Sequence, residues 1–326
     1  MRFTLECEDR VVGREREVAD GASAGERTTV ALPGPVDLPR TTAPHGHGPF
    51  DPAYRVTPDG AVWRTSRQPG GPATVRLVQT AADLVEATAW GPGAADLLVA
   101  APGLVGALDD TTGFDPPPGP VREAWRRTSA LRLTRSGQVL EALVPAVLEQ
   151  RVVTKSAWAA WEWLLRRYGE SAPGPAPDGM RVPPSADVWA GVPVWDFHRA
   201  GVDPARARTV VGCARLAAQL ERMVTLEPAE ALRRMTAVPG VGPWTAAHVA
   251  QRAWGDPDEV TLGDFHLPGQ VGWALAGHAV DDDGMLELLE PYRGHRQRVV
   301  RHLLAAGGWR VPRRGPRATE ADYRRF

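Results

Sequence analysis

Apolar residues in the central part of the chain recur three and four positions apart, which is the period of an amphipathic helix. This spacing predicts one helix over residues 139–149 and a second over residues 155–168. A third helix is predicted to start at Asp203-Pro204, because aspartate caps a helix well and proline fits its first position. The chain from about residue 121 onward is therefore expected to be helical.

The first part of the chain has a different pattern. Its apolar and β-branched residues come in short runs separated by Pro/Gly clusters, as in strands joined by turns. The runs lie at residues 2–7, 28–32, 61–64, 74–79 and 84–89. Residues 34–52 and 169–184 lack a regular period and are predicted to be loops. The proline-rich residues 113–120 are typical of a linker, so we predict a β-rich domain over residues 1–115 and a helical domain over 116–326.

Composition adds limits to this picture. A chain of 326 residues, 43% of them hydrophobic, is long enough for two buried cores. It shows no signal-peptide pattern and no apolar stretch that could span a membrane, so we expect a soluble intracellular protein without a membrane partner. A monomer is expected. Cys7 and Cys213 do not have the spacing of a zinc or iron–sulfur site, and we expect no metal site made of side chains.

Charge is unevenly distributed along the chain, although the net charge is only −1. Residues 1–120 hold 16 acidic residues and 10 arginines, whereas residues 291–326 hold 10 arginines and two acidic residues. A basic end of this kind can bind phosphates even when the total charge is near zero. An ordinary solvated tail is the alternative.

A glycine turn, Pro239-Gly240-Val241-Gly242, separates a helix predicted over residues 228–236 from a helix that begins at Pro243. Glycine permits positive φ and lets the backbone come close to a ligand. Free N–H groups at the start of the second helix favour a negatively charged oxygen. We therefore expect this hairpin to hold a nucleic-acid backbone by its phosphates, without reading base sequence.

Asp264 follows the hairpin after a loop, within the stretch GDFHL. The stretch VPGVGPWTA and this later GDFHL together resemble the helix–hairpin–helix–Gly/Pro–Asp DNA glycosylases, and within them the bacterial 3-methyladenine-DNA glycosylase II group. The resemblance implies an α+β chain, with an N-terminal β-rich, saddle-like domain followed by an all-helical helix–hairpin–helix domain and a basic C-terminal tail. It also implies double-stranded DNA containing damaged bases as the partner, and a bacterial cytoplasmic location in association with the nucleoid.

The resemblance further implies that Asp264 is the catalytic residue. Cleavage of an N-glycosidic bond builds positive charge on the sugar, and a nearby carboxylate can stabilise that charge and orient the attacking water. An alkylated, cationic base departs as a neutral molecule and needs little help from a general acid. Capping of the next helix is the alternative role for Asp264.

The base itself needs a pocket with aromatic faces, because electron-poor alkylated purines stack well on electron-rich rings. Trp244, His248 and Tyr292 are the candidates for this pocket, with Trp189 or Trp195 as further possibilities. His248 lies one helical turn after Trp244 and is expected on the same face.

An enzyme that acts on a base inside a duplex must extrude the nucleotide and fill the gap that it leaves. The stretch ALVPAVLEQRVVTKSAW resembles the segment of these enzymes that fills the gap, and Gln150 or Arg151 would stand at its tip. An ordinary turn between two helices is the alternative.

The kind of reaction depends on a lysine. In the resembling enzymes that also cut the strand, a lysine shortly after the hairpin forms a Schiff base with the sugar. Here Trp244 stands at the matching position, and the only lysine, Lys155, lies in another predicted helix. We therefore predict a monofunctional enzyme that hydrolytically removes alkylated purines of the 3-methyladenine type and leaves an abasic site.

Two other functions are compatible with the same motifs. One is a glycosylase for another lesion, such as oxidised guanine or hypoxanthine. The other is a non-catalytic helix–hairpin–helix module that only binds DNA. No cofactor is expected, apart from a monovalent cation that backbone carbonyls of the hairpin can bind.

Overall fold

The computed structural model describes residues 25–307, 309 and 311–312. The strand predicted at residues 2–7 and residues 313–326 of the basic tail lie outside this part. The described chain has a mixed α and β fold, with a five-stranded antiparallel sheet and a larger set of helices. The strands are β1 (Glu26–Ala31), β2 (Tyr54–Val56), β3 (Val62–Gln68), β4 (Gly71–Ala81), β5 (Leu84–Trp90), β6 (Glu170–Ser171) and β7 (Arg181–Val182).

The helices differ widely in length, and α5 is the longest of those described, with 15 residues. The helices are α1 (Leu38–Thr42), α2 (Ala94–Leu104), α3 (Pro120–Arg127), α4 (Val139–Leu148), α5 (Thr154–Tyr168), α6 (Ala186–Gly191), α7 (Val194–Arg199), α8 (Pro204–Arg215), α9 (Ala217–Glu221), α10 (Pro228–Thr236), α11 (Pro243–Val249), α12 (Leu267–Leu275), α13 (Asp282–Leu289) and α14 (Arg296–Ala306). In the part of the chain that is described, no helix has both the length and the apolar character needed to cross a membrane.

The large sheet has the strand order β1-β5-β4-β3-β2, and all neighbouring strands are antiparallel. Strands β3, β4 and β5 follow one another through tight turns, which join antiparallel neighbours readily. Helix α2 packs against one face of the sheet, where Val75, Val85, Leu97 and Leu104 are at most 1% exposed. The four strands that the sequence predicts within the described residues are therefore confirmed.

Residues 38–45, predicted as part of a loop, are helical instead. They form α1 and a 3-10 turn over Ala43–His45. The side chain of Asp37 caps α1 by accepting a hydrogen bond from the N–H of Arg40 at 3.1 Å. A helix of five residues is too short to show a helical period in the sequence, which explains the wrong prediction.

Residues 169–184 were also predicted as a loop, but they contain the antiparallel pair β6 and β7. This pair docks on the large sheet, because the N–H of Arg181 donates to Pro52 O at 2.7 Å and the Thr65 hydroxyl donates to Arg181 O at 2.6 Å. The resemblance implied that the chain after residue 116 is helical throughout. The pair of strands shows that this expectation is wrong. Two-residue strands carry no detectable alternation, and their pairing depends on the sheet that receives them.

The helices enclose two separate hydrophobic cores. Helices α4 to α11 surround the larger core, in which Leu143, Leu164 and Val210 are fully buried. Helix α3 packs with α12, α13 and α14 around a second core that includes Met285 and Leu289. Helix α3 begins directly after the proline-rich segment, whereas the division at residues 115/116 into two domains stays a prediction.

Buried charged groups connect the sheet to the helices. Glu141, in the first turn of α4, accepts hydrogen bonds from Ser66 Oγ at 2.8 Å and from Arg64 Nη2 at 2.7 Å. Arg298 of α14 makes a bidentate pair with Asp109 at 2.7 and 2.8 Å, and the two side chains are only 1% and 2% exposed. Removal of one member of such a pair would leave a buried charge without compensation. These contacts therefore help to fix the position of the sheet relative to the helices that carry the candidate site.

Candidate active site

The glycine turn connects α10 to α11, so the unit is a helix, a hairpin and a helix. Helix α11 continues directly into a π-helical turn over Ala250–Trp254. The turn is closed by a hydrogen bond from the N–H of Val241 to Val238 O at 3.0 Å. Gly240 has a φ of 85°, and a Cβ added there would lie 2.1 Å from Thr209 Oγ1. The fold itself therefore requires glycine at position 240.

Gly242 has no comparable requirement within the described protein. Its φ is −91°, and no heavy atom lies within 4 Å of the position that a Cβ would occupy. The sequence-based expectation of positive φ thus applies to Gly240 and not to Gly242. The N–H groups of Gly240 and Gly242 have no hydrogen-bond acceptor among the described residues. The hairpin therefore presents an open stretch of backbone with free donors.

Asp264 uses its two carboxylate oxygens in different ways. Oδ1 accepts hydrogen bonds from the backbone N–H groups of His266 (2.8 Å) and Leu267 (2.9 Å), at the start of α12. Oδ2 accepts a hydrogen bond from Trp244 Nε1 at 3.2 Å. The side chain is partly buried. Asp264 therefore caps a helix with one oxygen and faces the helix after the hairpin with the other.

Trp244 also contacts His248, as the sequence spacing predicts. Their ring centroids are 4.0 Å apart, with an angle of 36° between the ring planes. One turn further along, Arg252 Nη1 lies 2.9 Å from His248 Nδ1, and Arg252 Nε donates to Pro44 O at 3.0 Å. Sequence reasoning missed Arg252, although its position four residues after His248 and eight after Trp244 could have revealed it.

Electrostatics keep His248 uncharged at neutral pH. Burial and the neighbouring Arg252 guanidinium lower the pKa of His248 to about 3, while Glu149 and Asp264 act in the opposite direction. Glu149 lies at the end of α4, with its Oε1 3.8 Å from His47 Nδ1. Burial alone would raise the pKa of Glu149, but the neighbouring His47 and the charge of Arg252 hold that pKa at about 2.

The turn after α4 contacts the hairpin directly. Gln150 Nε2 donates to Gly240 O at 3.0 Å and to Thr245 Oγ1 at 2.8 Å. Arg151 is exposed and has a φ of 54°, and it is the one non-glycine residue with positive φ in the described part of the chain. Gln150 therefore does not stand free at the tip of the turn, whereas Arg151 does.

The other aromatic candidates make no hydrogen bond or ring contact with Asp264, Trp244 or His248 within the described residues. Trp189 is 2% exposed and belongs to the larger helical core, so it is not a pocket residue. Trp195 is 66% exposed on α7. Tyr292 lies in a 3-10 turn over Glu290–Tyr292 and packs against the second helical core. No hydrogen bond or ring contact in the described part of the chain joins Tyr292 to Trp244, His248 or Asp264.

A cavity lies behind Arg252, between the sheet and the helices. Its volume is about 20 Å³, and its lining includes His45, His47, Arg64 and Ser136. This is room for about one water molecule. The cavity is therefore too small to receive a base.

Comparisons of sequence and fold relate the chain to DNA repair proteins. No protein-family model matches the chain. The chain is 31% identical, over 225 residues, to a protein of Mycobacterium tuberculosis named as a probable bifunctional transcriptional activator/DNA repair enzyme AlkA. The match covers 64% of this chain and 43% of that protein, so the chain spans less than half the length of this relative.

Solved structures with a similar fold are glycosylases by name. The 3-methyladenine DNA glycosylase from Archaeoglobus fulgidus matches with a TM-score of 0.71 and 15% identity, over 85% of this chain and 98% of that chain. The 8-oxoguanine glycosylase/lyase from Clostridium acetobutylicum, in its apo form, matches with a TM-score of 0.66 and 12% identity, over 86% and 96%. A second structure of the clostridial enzyme contains double-stranded DNA.

At such low identities the structural matches concern the fold alone. The sequence match to the mycobacterial protein is independent of them, and that protein is named as a DNA repair enzyme. The motif of a glycine hairpin followed by an aspartate is present in the structure with its two parts in contact, through Trp244 and Asp264. The chain therefore resembles the helix–hairpin–helix–Gly/Pro–Asp superfamily in its motif and in its fold, and it is similar in sequence to a protein named as a DNA repair enzyme.

Proposed function

We propose that this protein is a DNA glycosylase that hydrolytically removes alkylated purines from double-stranded DNA and leaves an abasic site. The contact between Asp264 and Trp244 carries this proposal, because it places a carboxylate beside the helix that starts at the hairpin. A hairpin bound to the DNA backbone would then bring the sugar of an extruded nucleotide towards that carboxylate. The name of the archaeal structure, a 3-methyladenine DNA glycosylase, supports the choice of alkylated bases, and the mycobacterial relative is named as a DNA repair enzyme.

Asp264 has the properties that the reaction requires. Its position is fixed by three donors, the N–H groups of His266 and Leu267 and the indole of Trp244. A preorganised carboxylate stabilises the positive charge that develops on the sugar and costs no reorganisation during the reaction. It can also orient water for attack at C1′ and accept its proton. Trp244 therefore acts as a positioning residue for Asp264.

The remaining parts of the site have roles in holding the DNA. The free N–H groups of Gly240 and Gly242 are suited to phosphate oxygens. The exposed Arg151 is the better candidate for filling the gap in the duplex, because Gln150 is bonded to the hairpin. Tyr292 is a proposed pocket residue, and it would contact the base from the side of the second helical core. The basic residues at the C-terminal end would add attraction to phosphates.

The proposal includes the absence of strand cleavage. The single lysine, Lys155, is exposed in the first turn of α5, beyond the turn that carries Arg151. A Schiff base with the sugar needs a lysine close to the reacting carbon. Trp244 occupies the position after the hairpin where the resembling lyases have their lysine. Water is therefore the proposed nucleophile. The proposed place of action is the bacterial chromosome in the cytoplasm.

A monovalent cation at the hairpin is a further proposal. Val238 O and Gly240 O each accept one hydrogen bond, from the N–H of Val241 and from Gln150. A carbonyl oxygen has two lone pairs, so both could still bind a cation. Such an ion would neutralise phosphate charge at the hairpin.

A non-catalytic DNA-binding module is the second candidate function, because Asp264 caps α12. The variant Asp264→Asn separates the two, since asparagine caps a helix about as well as aspartate. We expect base release from alkylated duplex DNA to fall at least about 100-fold, while binding to abasic-site DNA stays nearly unchanged. Released bases are measured by chromatography, and strand breaks are measured before and after alkali.

Three results would count against the proposal. Equal loss of binding and release in Asp264→Asn would make the residue structural. Strand breaks before alkali would show lyase activity. Binding of damaged DNA by the wild-type protein without release of any base would favour the binding module.

A further inference from the structure

The loop between the π-helical turn and α12 covers residues 255–266 and carries Asp264 near its end. A connection of this length has many conformations of its own, so contacts with the rest of the fold must fix its path. The contacts of Asp264 with Leu267 and Trp244 hold its side chain. They do not hold the backbone that leads into Asp264.

The first part of this loop is attached to the second helical core. The carboxylate of Asp258 accepts the N–H groups of Gly294 at 2.7 Å and of Arg296 at 3.0 Å. Val260 is buried in the same core. The chain then returns to the surface, and Gly263 is exposed. Packing therefore does not fix the backbone directly before Asp264.

Asp282, the first residue of α13, contacts this piece of backbone. Its Oδ2 accepts the N–H of Gly263 at 2.9 Å. Gly263 has a φ of 80°, and no heavy atom lies within 4 Å of the position that a Cβ would occupy. Glycine adopts positive φ without strain, but it can also leave it easily. The hydrogen bond with Asp282 therefore selects one conformation of Gly263, and with it the direction in which the chain enters Asp264.

Other roles of Asp282 in the fold do not account for its carboxylate. Oδ1 is buried and accepts no hydrogen bond within the described part of the chain, and an unpaired buried acceptor costs free energy. Asp281 caps α13, because its Oδ1 accepts the N–H of Gly284 at 3.0 Å. Asp283 supplies a second carboxylate to the first turn of the helix. The contact with Gly263 is what distinguishes Asp282 from these two neighbours.

We infer that Asp282 is a positioning residue for Asp264 and acts through the backbone of Gly263. The inference rests on the proposed glycosylase function, in which Asp264 stabilises charge on the sugar and orients water. These tasks require a defined distance between the carboxylate and C1′, and a displacement of about 1 Å can cost about 100-fold in rate. Asp264 is then held from two sides, with Trp244 at its side chain and Asp282 at the backbone before it.

Three variants in the first turn of α13 test the inference. Asp282→Ala removes the acceptor for Gly263, whereas Asp282→Asn keeps an oxygen there. Asp283→Ala removes an exposed carboxylate from the same turn and is the matched control. Single-turnover rates of base release are measured on alkylated duplex DNA at saturating protein, and binding to abasic-site DNA is titrated separately.

We expect Asp282→Ala to slow base release about 10-fold or more and to change DNA binding less than about 3-fold. Asp282→Asn should recover most of the rate, and Asp283→Ala should behave as the wild type. Equal losses of release and binding in Asp282→Ala, an unchanged rate in that variant, or the same loss in Asp283→Ala would overturn the inference alone. Absence of release by the wild-type protein would overturn the proposed function and the inference with it.

Hydrogen exchange of the Gly263 N–H, followed by NMR, tests the contact without any activity. The N–H should be protected in the wild type and should exchange about 10-fold faster in Asp282→Ala. An unprotected N–H in the wild type would overturn the inference whether or not the protein releases bases. This result needs no variant, so it decides the matter even if Asp282→Ala fails to fold.

Discussion

At the scale of single residues, the site depends on groups that serve two partners at once. Asp264 caps α12 through Oδ1 and receives the Trp244 indole at Oδ2. His248 packs on Trp244 with its ring and accepts from Arg252 at Nδ1. Each of these side chains has few orientations left, because its contacts are on opposite sides. Such constraint is what a catalytic constellation needs in order to hold its geometry.

The two hairpin glycines allow a prediction with an internal control. Gly240→Ala should lower the free energy of unfolding by about 2–4 kcal/mol, because alanine is strained at positive φ and would clash with Thr209. Gly242→Ala should leave stability within about 0.5 kcal/mol of wild type. It should nevertheless weaken binding to abasic-site DNA about 10-fold, because a methyl group would hold the phosphate away from the hairpin amides.

Thermal unfolding and binding titrations check both variants side by side. If Gly242→Ala bound DNA as tightly as the wild type, the hairpin would not be in close contact with the backbone. If Gly240→Ala were as stable as the wild type, the fold would not require glycine at position 240. The double variant Gly240→Ala/Thr209→Ala should recover only the part of the stability that the clash removes.

At the scale of elements, the C-terminal end of α4 connects the parts of the site. Arg206 of α8 donates to Leu148 O at 2.5 Å, in the last turn of α4. Gln150, just beyond, bonds to the hairpin and to Thr245 of α11. The turn with the exposed Arg151 is therefore held at a fixed distance from the hairpin. A hairpin that binds phosphates and a side chain that fills the gap in the same duplex require such a fixed spacing.

We expect substitutions of Gln150 and Arg151 to have different effects on DNA binding and base release. Gln150→Ala removes two hydrogen bonds between the turn and the hairpin, and should reduce both DNA binding and base release by about 10-fold. Arg151→Asn keeps a residue that tolerates positive φ but removes the long side chain. It should slow release from duplex DNA by about 10-fold and leave release from single-stranded DNA unchanged. Equal impairment on both substrates would rule out a gap-filling role for Arg151.

At the scale of the whole molecule, a buried histidine between α3 and α14 makes the stability of the fold depend on pH. His302 of α14 is 1% exposed, and its Nδ1 lies 2.6 Å from the hydroxyl of Thr128. That hydroxyl donates to Ala124 O at 2.7 Å, so the histidine is the donor of the pair. Burial, followed by the charges of Arg298 and Arg301, lowers the pKa of His302 to about 3.

This histidine makes stability depend on pH in a defined direction. The pKa of His302 is about 3 in the folded state and near 6.5 in the unfolded chain, so its contribution is complete above 6.5 and is lost as the pH falls towards 3. His248 has the same sign. When the pH falls from about 7 to about 5, each histidine becomes protonated in the unfolded chain but not in the folded protein. Each should therefore lower the free energy of unfolding by about 1–2 kcal/mol.

Chemical denaturation at the two pH values tests this dependence. His302→Gln should lose less stability on acidification than the wild type, since glutamine does not titrate. Exchange of the exposed His278 for glutamine is the matched control and should keep the wild-type dependence. A wild-type dependence in His302→Gln would mean that other groups dominate.

The sequence by itself determined the features that depend on neighbouring residues along the chain. The helical spacing after residue 121, the strands of the large sheet and the hairpin between α10 and α11 follow from local periodicity and turn chemistry. The pairing of Trp244 with His248 also follows, because residues four apart share one face of a helix. The resemblance to the superfamily is visible in the sequence because its motif consists of two short local stretches.

Only the tertiary structure decided which distant groups meet. The bond from Gln150 to Gly240 joins residues 90 positions apart, and Arg252 meets Pro44 across 208 positions. No periodicity encodes such contacts, because they arise when separate elements pack together. The different requirements at Gly240 and Gly242 have the same origin, since a clash with Thr209 exists only after α8 has packed beside the hairpin. The proton on His248 Nε2 is likewise a property of the folded chain, which places a donor without acceptors beside Nδ1.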